Sequence, residues 1–270
     1  MDLFYRSYGE QGPALVIVHG LYGTGDNWVS IAREMAAAGF RVFVVDQRNH
    51  GRSAHEPVHD YPAMRDDLIG FLDARGLDRA ILLGHSMGGK AVMQLALDHP
   101  GRVEALISVD MAPRSYLEPV HFNGATNHAK MIDAMLALDL SAIQSRSDAD
   151  RALRTAIGSE RVRSFMLKNL SRTKEGGFRW RLNLEALRNN LPAILDGLDT
   201  AAIEAAGGLT EFPVLFMAGE HSDYILPEDH IPIRRLFPEA SIVRIPSAGH
   251  WVHAEQPRLL IKSLRYFLEH

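Results

Sequence analysis

Ser86 stands in Gly84-His85-Ser86-Met87-Gly88, directly after the apolar run Ala80–Leu83 and directly before a stretch of helical length, Met87–Asp98. A serine between glycines at a strand-to-helix turn is the arrangement of a nucleophile elbow. The sharp turn lifts the hydroxyl above the sheet edge, and the helix start aims backbone N–H groups at a reacting carbonyl. Far along the chain, Gly249-His250 follows the last apolar run, Ile242–Ile245, and a histidine at that edge can accept the serine proton. His253, three residues on, reads as a packing or capping group. Upstream, His19-Gly20-Leu21-Tyr22-Gly23 closes the run Ala14–Val18. Its glycines permit close backbone approach, so the N–H of Leu21 can join that of Met87 as a two-donor oxyanion hole. His19 itself reads as a structural hydrogen-bonding residue. The chemistry open to this set is acyl transfer through serine. The chain has no cysteine, which excludes a thiol nucleophile, disulfides, Cys-ligated zinc and iron–sulfur clusters together.

Such a serine and histidine need an acid, and two aspartates compete for the position. One site for it lies beyond the strand before last, Val214–Met217 with Gly219, where a count of three reaches Ser222, which cannot act, and Asp223 lies one further. Asp110 instead follows Ala105–Val109 directly, beside the Ser86 strand, so its carboxylate would emerge where the imidazole of His250 should hang. Asp110 is favoured, with Asp223 as the fallback.

Three other motifs invite different chemistry and fail on their own terms. Gly84 to Lys90 fits Gly-x-x-x-x-Gly-Lys, yet Ala91 stands where a phosphate-binding loop needs a hydroxyl for magnesium. Lys90 is then expected to face outward or to snorkel. His55-Glu56-Pro57-Val58-His59 matches a zinc motif that works only on a helix, and Pro57 disfavours helix at Glu56. Asp46 to Ser53 reads as an architectural turn, with Asp46 and Arg48 bonding backbone groups.

The elements that must position these residues alternate. Short apolar runs (Ala14–Val18, Val42–Val45, Ala80–Leu83, Ala105–Val109, Val214–Met217 and Ile242–Ile245) are separated by helical patterns at Asn27–Ala38, Ala63–Ala74, Met87–Asp98, Asp229–Phe237 and Ala254–Leu268. Runs of this kind are strands buried on both faces, and their alternation with helices predicts an α/β fold with a mostly parallel central sheet. A further strand pair is expected around Leu3–Tyr8, antiparallel at the edge. The alternation stops between Asp110 and Pro213, where helical patterns predominate; a helical cap inserted after the sixth strand is the expectation. The domain division is then 1–112 with 208–270 as core and 113–207 as cap. Within the insertion Met131, Ile132, Met135 and Leu136 fall at helical spacing and read as core.

The 270 residues carry 29 Lys and Arg against 33 Asp and Glu, a formal charge of −4, so no basic field exists to hold a nucleic acid. From Gln144 to Arg188 the balance is locally +6, read first as a solvated face and second as a field that would steer anionic ligands. The opening residues show neither a secretory nor an anchoring pattern, which makes a soluble cytoplasmic protein the default expectation.

Taken in order, His19-Gly20, the turn Arg48-Asn49-His50-Gly51, Tyr61-Pro62-Ala63-Met64, the Ser86 elbow through Met93, Asp110-Met111-Ala112-Pro113 and Gly249-His250-Trp251-Val252-His253-Ala254-Glu255 resemble the α/β-hydrolase superfamily, and within it the YbfF-type esterases. The insertion matches weakly, mainly at Phe178 to Asn183. The resemblance implies a carboxylic-ester hydrolase for short acyl esters, with acyl-CoA thioesters as related substrates and no metal or organic cofactor. It places the acid at Asp110 and makes Tyr22, Phe122 and Trp180 candidate pocket walls. The partner expected is a small ester or thioester, with no nucleic acid and no membrane, and with a homodimer left open. A cofactor-free haloperoxidase, a carbon–carbon hydrolase or a non-catalytic binding protein of the same fold are the alternatives.

Overall fold

The computed structural model describes residues 1–117 and 124–270, with side chains in the second stretch from His128 onward. The first part of the chain lays down β1 (Tyr5–Tyr8), β2 (Ala14–Val18), α1 (Val29–Ala37), β3 (Arg41–Val45), α2 (Tyr61–Ala74), β4 (Ala80–His85), α3 (Met87–Asp98) and β5 (Val103–Val109). An insertion follows, with α4 (Gly124–Leu136), α5 (Arg146–Leu153), α6 (Glu160–Leu167), the hairpin β6 (Leu170–Arg172) and β7 (Phe178–Trp180), then α7 (Leu184–Asn189), α8 (Leu191–Leu195) and α9 (Ala201–Ala205). The chain then completes the sheet with β8 (Val214–Gly219), α10 (His230–Leu236), β9 (Ser241–Ile245), α11 (Val252–Glu255) and α12 (Pro257–Glu269).

The fold is α/β, with a mostly parallel central sheet flanked by helices. Its seven-stranded sheet has the order β1-β3-β2-β4-β5-β8-β9. Only β1 runs antiparallel, pairing with β3 at the edge, while every other neighbouring pair is parallel. The continuous apolar runs of β2, β4 and β8 are buried at every residue, as strands covered on both faces must be. Side chains alternate across the sheet: Leu15 and Ile17 pack with Trp28, Met35, Leu260 and Leu264 on one face. Val16 and Val18 pack with Leu68, Leu72 and Met93 on the other, in a core that continues into Ile132, Leu153 and Leu187 of the insertion.

The N-terminal segment supplies one strand where a pair is expected, so the insertion follows the fifth strand and not the sixth. The insertion is also not purely helical. Gly176, at φ +90°, turns the short hairpin β6–β7 within a stretch whose charged residues read as helix surface. Near the C-terminus the pattern Ala254–Leu268 is broken at Gln256, because Pro257 cannot continue a helix begun before it and instead opens α12. In α4, Ile132 and Met135 are buried, but Leu136 is 42% exposed.

Candidate active site

The C-terminal ends of β2, β4 and β5 carry His19, Ser86 and Asp110 to one edge of the sheet, and the loop after β9 brings His250 over them. Ser86 sits at φ +54°, ψ −124°, a strained backbone region for an L residue. Two close approaches make the turn possible. A Cβ on Gly88 would collide with the Val18 carbonyl, and one on Gly20 would lie 2.9 Å from the Ser86 Cβ.

His250 Nε2 lies 3.0 Å from Ser86 Oγ, and its Nδ1 lies 2.8 Å from Asp110 Oδ2. Asp110 is fully buried, and its carboxylate also accepts the Gly219 N–H at 2.9 Å and the Ser222 hydroxyl. With a carboxylate on Nδ1, that nitrogen carries the proton and Nε2 is left to accept from the serine. Asp223 is exposed, and Arg114 Nη2 bonds its backbone carbonyl, not its carboxylate, at 3.1 Å. Ser222, the residue that the three-residue count reaches, donates its hydroxyl to Asp110. Two further groups fix the imidazole, and neither stood out in the sequence. The Tyr224 ring stacks on it at 3.7 Å between centroids and 14° between planes, and His85 Nε2 donates to the His250 carbonyl at 2.8 Å. Tyr224 lies two residues beyond Ser222 and His85 is the variable residue of the elbow, so neither position carries a motif.

The Leu21 and Met87 N–H groups have no protein acceptor among the described residues, which leaves both free to meet a developing oxyanion. The loop that carries Leu21 is held by neutral histidines. His19 donates through Nδ1 to the Gly20 carbonyl at 2.9 Å and accepts the Gln47 N–H at Nε2 at 3.0 Å. His50 donates likewise to the Arg48 carbonyl and accepts the Tyr22 N–H at 3.2 Å. Burial lowers the pKa of both, so each keeps one donor and one acceptor nitrogen. The turn after β3 is architectural: Asp46 caps the Gly25 and Arg52 N–H groups, and Arg48 grips Asp67 through two nitrogens and the Val58 and Ala63 carbonyls.

Ser86 and His250 open on a cavity of about 310 Å³ whose walls are mainly apolar, among them Leu21, Met131, Ile157, Phe165 and Met166. Tyr22 lines it, its hydroxyl 3.2 Å from His128 Nδ1 on α4. Trp180 is not a wall: it turns into the insertion and donates from Nε1 to the Met135 carbonyl at 3.2 Å. Phe122 lies outside the described residues. His253 packs, stacked on Trp28 at 4.5 Å, and also lines the cavity, which its place after the last strand did not suggest. His55 is exposed and His59 is buried against Met87, so these two histidines do not share a face. Lys90, expected to face outward or to snorkel, is fully buried.

A profile described as the alpha/beta hydrolase fold matches residues 13–257. The chain belongs to this family, and it is a hydrolase of its esterase branch. The mouse sn-1-specific diacylglycerol lipase ABHD11 is 40% identical over 257 residues, 95% of this chain and 81% of that protein. Esterase YbfF of Escherichia coli is 35% identical, covering 94% of this chain and 92% of its own length. A solved marine microorganism esterase superposes with a TM-score of 0.91 at 39% identity, over 98% of this chain and 99% of that one. Among the described residues no helix is long and apolar enough to cross a membrane.

Proposed function

We propose that the chain is a serine-dependent carboxylic-ester hydrolase in which Ser86, His250 and Asp110 form a catalytic triad. The observation that carries this reading is the unbroken run of hydrogen bonds from Ser86 Oγ through His250 to buried Asp110, opening on an apolar cavity. Ser86 Oγ attacks the ester carbonyl while its proton passes to His250 Nε2. The carbonyl oxygen takes the electron pair and rests on the Leu21 and Met87 N–H groups. Collapse of the tetrahedral intermediate breaks the bond to the leaving alcohol, which takes the proton back from His250 and leaves an acyl-serine. Water then repeats the sequence, delivering its proton to His250 and releasing the acid and free Ser86.

The cavity volume, about 310 Å³, is at the small end of ligand pockets, which span roughly 300–1,000 Å³; this supports short acyl esters, with acyl-CoA thioesters as a related class. Residues 113–207 serve as the cap in this reading, over a core of 1–112 and 208–270. The test is a panel of p-nitrophenyl esters, acyl-CoAs and a diacylglycerol, with mass spectrometry of the protein during turnover. An acyl adduct on Ser86 supports the reading. Turnover without an adduct, undiminished in Ser86→Ala, overturns it.

A further inference from the structure

Lys90 is the group that the proposed chemistry leaves unused. It lies on α3, four residues after the nucleophile, and its own N–H helps to hold the Ser86 carbonyl at 3.3 Å. Its side chain is fully buried with no carboxylate in ion-pair contact among the described residues, and the Asp196 carboxylate acts on it only through space. The ammonium donates to the Asp196 carbonyl and sits 4.7 Å from the Tyr116 ring centroid and 5.6 Å from that of Tyr61. Burying an ammonium among two rings and one carbonyl is expensive, and an apolar side chain of equal length would fill the same space at less cost.

What surrounds the ammonium is the pair of crossings by which the chain enters and leaves the insertion. The ingoing crossing, Pro113 to Tyr116, and the outgoing one, Ile194 to Leu198, bond to each other. Tyr116 N donates to Leu195 O at 2.7 Å, and Leu198 N donates to Pro113 O at 2.9 Å. Gly197 lets them approach, since a Cβ there would lie 2.9 Å from Ser115 N. Lys90 touches one crossing through the Tyr116 ring and the other through the Asp196 carbonyl. Tyr61 of α2 adds a bond from its hydroxyl to Ile194 O at 2.5 Å. From the ingoing crossing the contact runs on to the site: the Tyr116 hydroxyl donates to Tyr224 O at 2.6 Å, and the Tyr224 ring covers His250. Other charge nearby is balanced at a distance, with Arg114 on the Tyr116 ring at 4.2 Å and paired to Asp229 at 2.8 Å. Burial lowers the Lys90 pKa to about 7, in keeping with a side chain screened from water.

We propose that Lys90 is a positioning residue, a latch whose ammonium fastens both crossings of the insertion to the nucleophile's helix and so fixes the insertion over the cavity. The latch rests on the esterase reading only for its effect on turnover; its mechanical part stands apart from it. The test is hydrogen exchange, read at the Tyr116 and Leu198 amides, in the wild type and in Lys90→Met and Lys90→Gln. In the wild type both amides should exchange far more slowly than those of exposed α9. In either variant they should exchange about tenfold faster, the effect expected when one desolvated cation–π or charge-assisted bond is lost. Melting temperature should stay level or rise in Lys90→Met, and labelling of Ser86 by a small phosphonate should keep its rate, while KM for esters that fill the cavity rises. Unchanged exchange at both amides in a folded variant overturns the latch, as a space-filling role would give that result. If neither variant folds, the wild-type measurement decides, since exchange there as fast as in α9 also overturns it. A wild type inactive on every ester, whose slow crossing amides are freed by Lys90→Met, would end the esterase reading and leave the latch standing.

Discussion

In the proposed triad Ser86 gains its geometry from its backbone and its base from a residue at the far end of the chain. Removing its hydroxyl leaves the elbow intact, because the strain lies in φ and ψ and not in the side chain. Ser86→Ala should therefore fold normally and lose on the order of 10⁶ in kcat, read on a p-nitrophenyl ester beside a circular-dichroism melt. In the proposed mechanism Asp110 fixes the tautomer of His250 and faces the imidazolium that would form during the reaction. Asp110→Asn should cost about 10⁴ in kcat at neutral pH, whereas Asp223→Asn, altering an exposed side chain, should leave kcat near the wild-type value. A crippled Asp223→Asn beside an active Asp110→Asn would reverse the assignment. Ser222→Ala removes a charge-assisted bond to Asp110 and should lower kcat by about tenfold, with the loss concentrated in kcat and not in KM. At this scale the sequence marks Ser86 and His250 by local motifs, and Asp110 by its strand. It marks Tyr224 and His85 by nothing local, because their contacts with His250 are made by loops that only the folded sheet brings together.

The strands were the most legible elements, since a strand covered on both faces must be a continuous apolar run. The insertion was the least legible. Its hairpin has two strands of three residues each, too short for a period to register, and its charged residues belong as easily to a helix. Trp180 shows the same limit: an aromatic residue marks a buried place without saying which cavity it faces. The local charge of +6 in the insertion is also reshaped by folding. Arg151 pairs with Asp148, Arg154 and Arg163 with Asp150, Arg161 with Glu255 and Arg188 with Asp133, while Lys130 is the one lysine or arginine among the described cavity walls. Arg161 and Arg188 are offset by acids outside the stretch, and none of its lysines or arginines lines the cavity, so kcat/KM for a neutral and an anionic ester should respond alike as the Debye length shrinks from about 10 Å at 0.1 M salt to about 3 Å at 1 M. A selective loss for the anionic ester would show that the unpaired cations steer it.

Across the whole molecule, buried histidines tie stability to pH. Burial depresses His59 and His253 to about 3 and His128 to about 4, all below the ordinary 6.5. These are bases whose folded pKa is lowered, so between roughly pH 6.5 and 4 the unfolded chain binds protons that the folded chain refuses. Each such histidine then removes about 1.4 kcal/mol of stability per pH unit as the solution is acidified. Urea unfolding at intervals from pH 7.5 to 4.5 should show this fall, and His59→Gln should make it shallower by about one proton; an unchanged slope would exonerate His59. A different consequence follows from the two crossings beside Lys90. Since Leu198 N already bonds to Pro113 O, the ingoing and outgoing strands of chain lie side by side at this point. The insertion therefore hangs from the sheet as if by a single stem, and a shorter or longer segment could be grafted at this seam with almost no added loop-closure entropy. Any graft at this seam would have to replace the apolar residues that the insertion lends to the sheet's own core, Ile132, Leu153 and Leu187 among them.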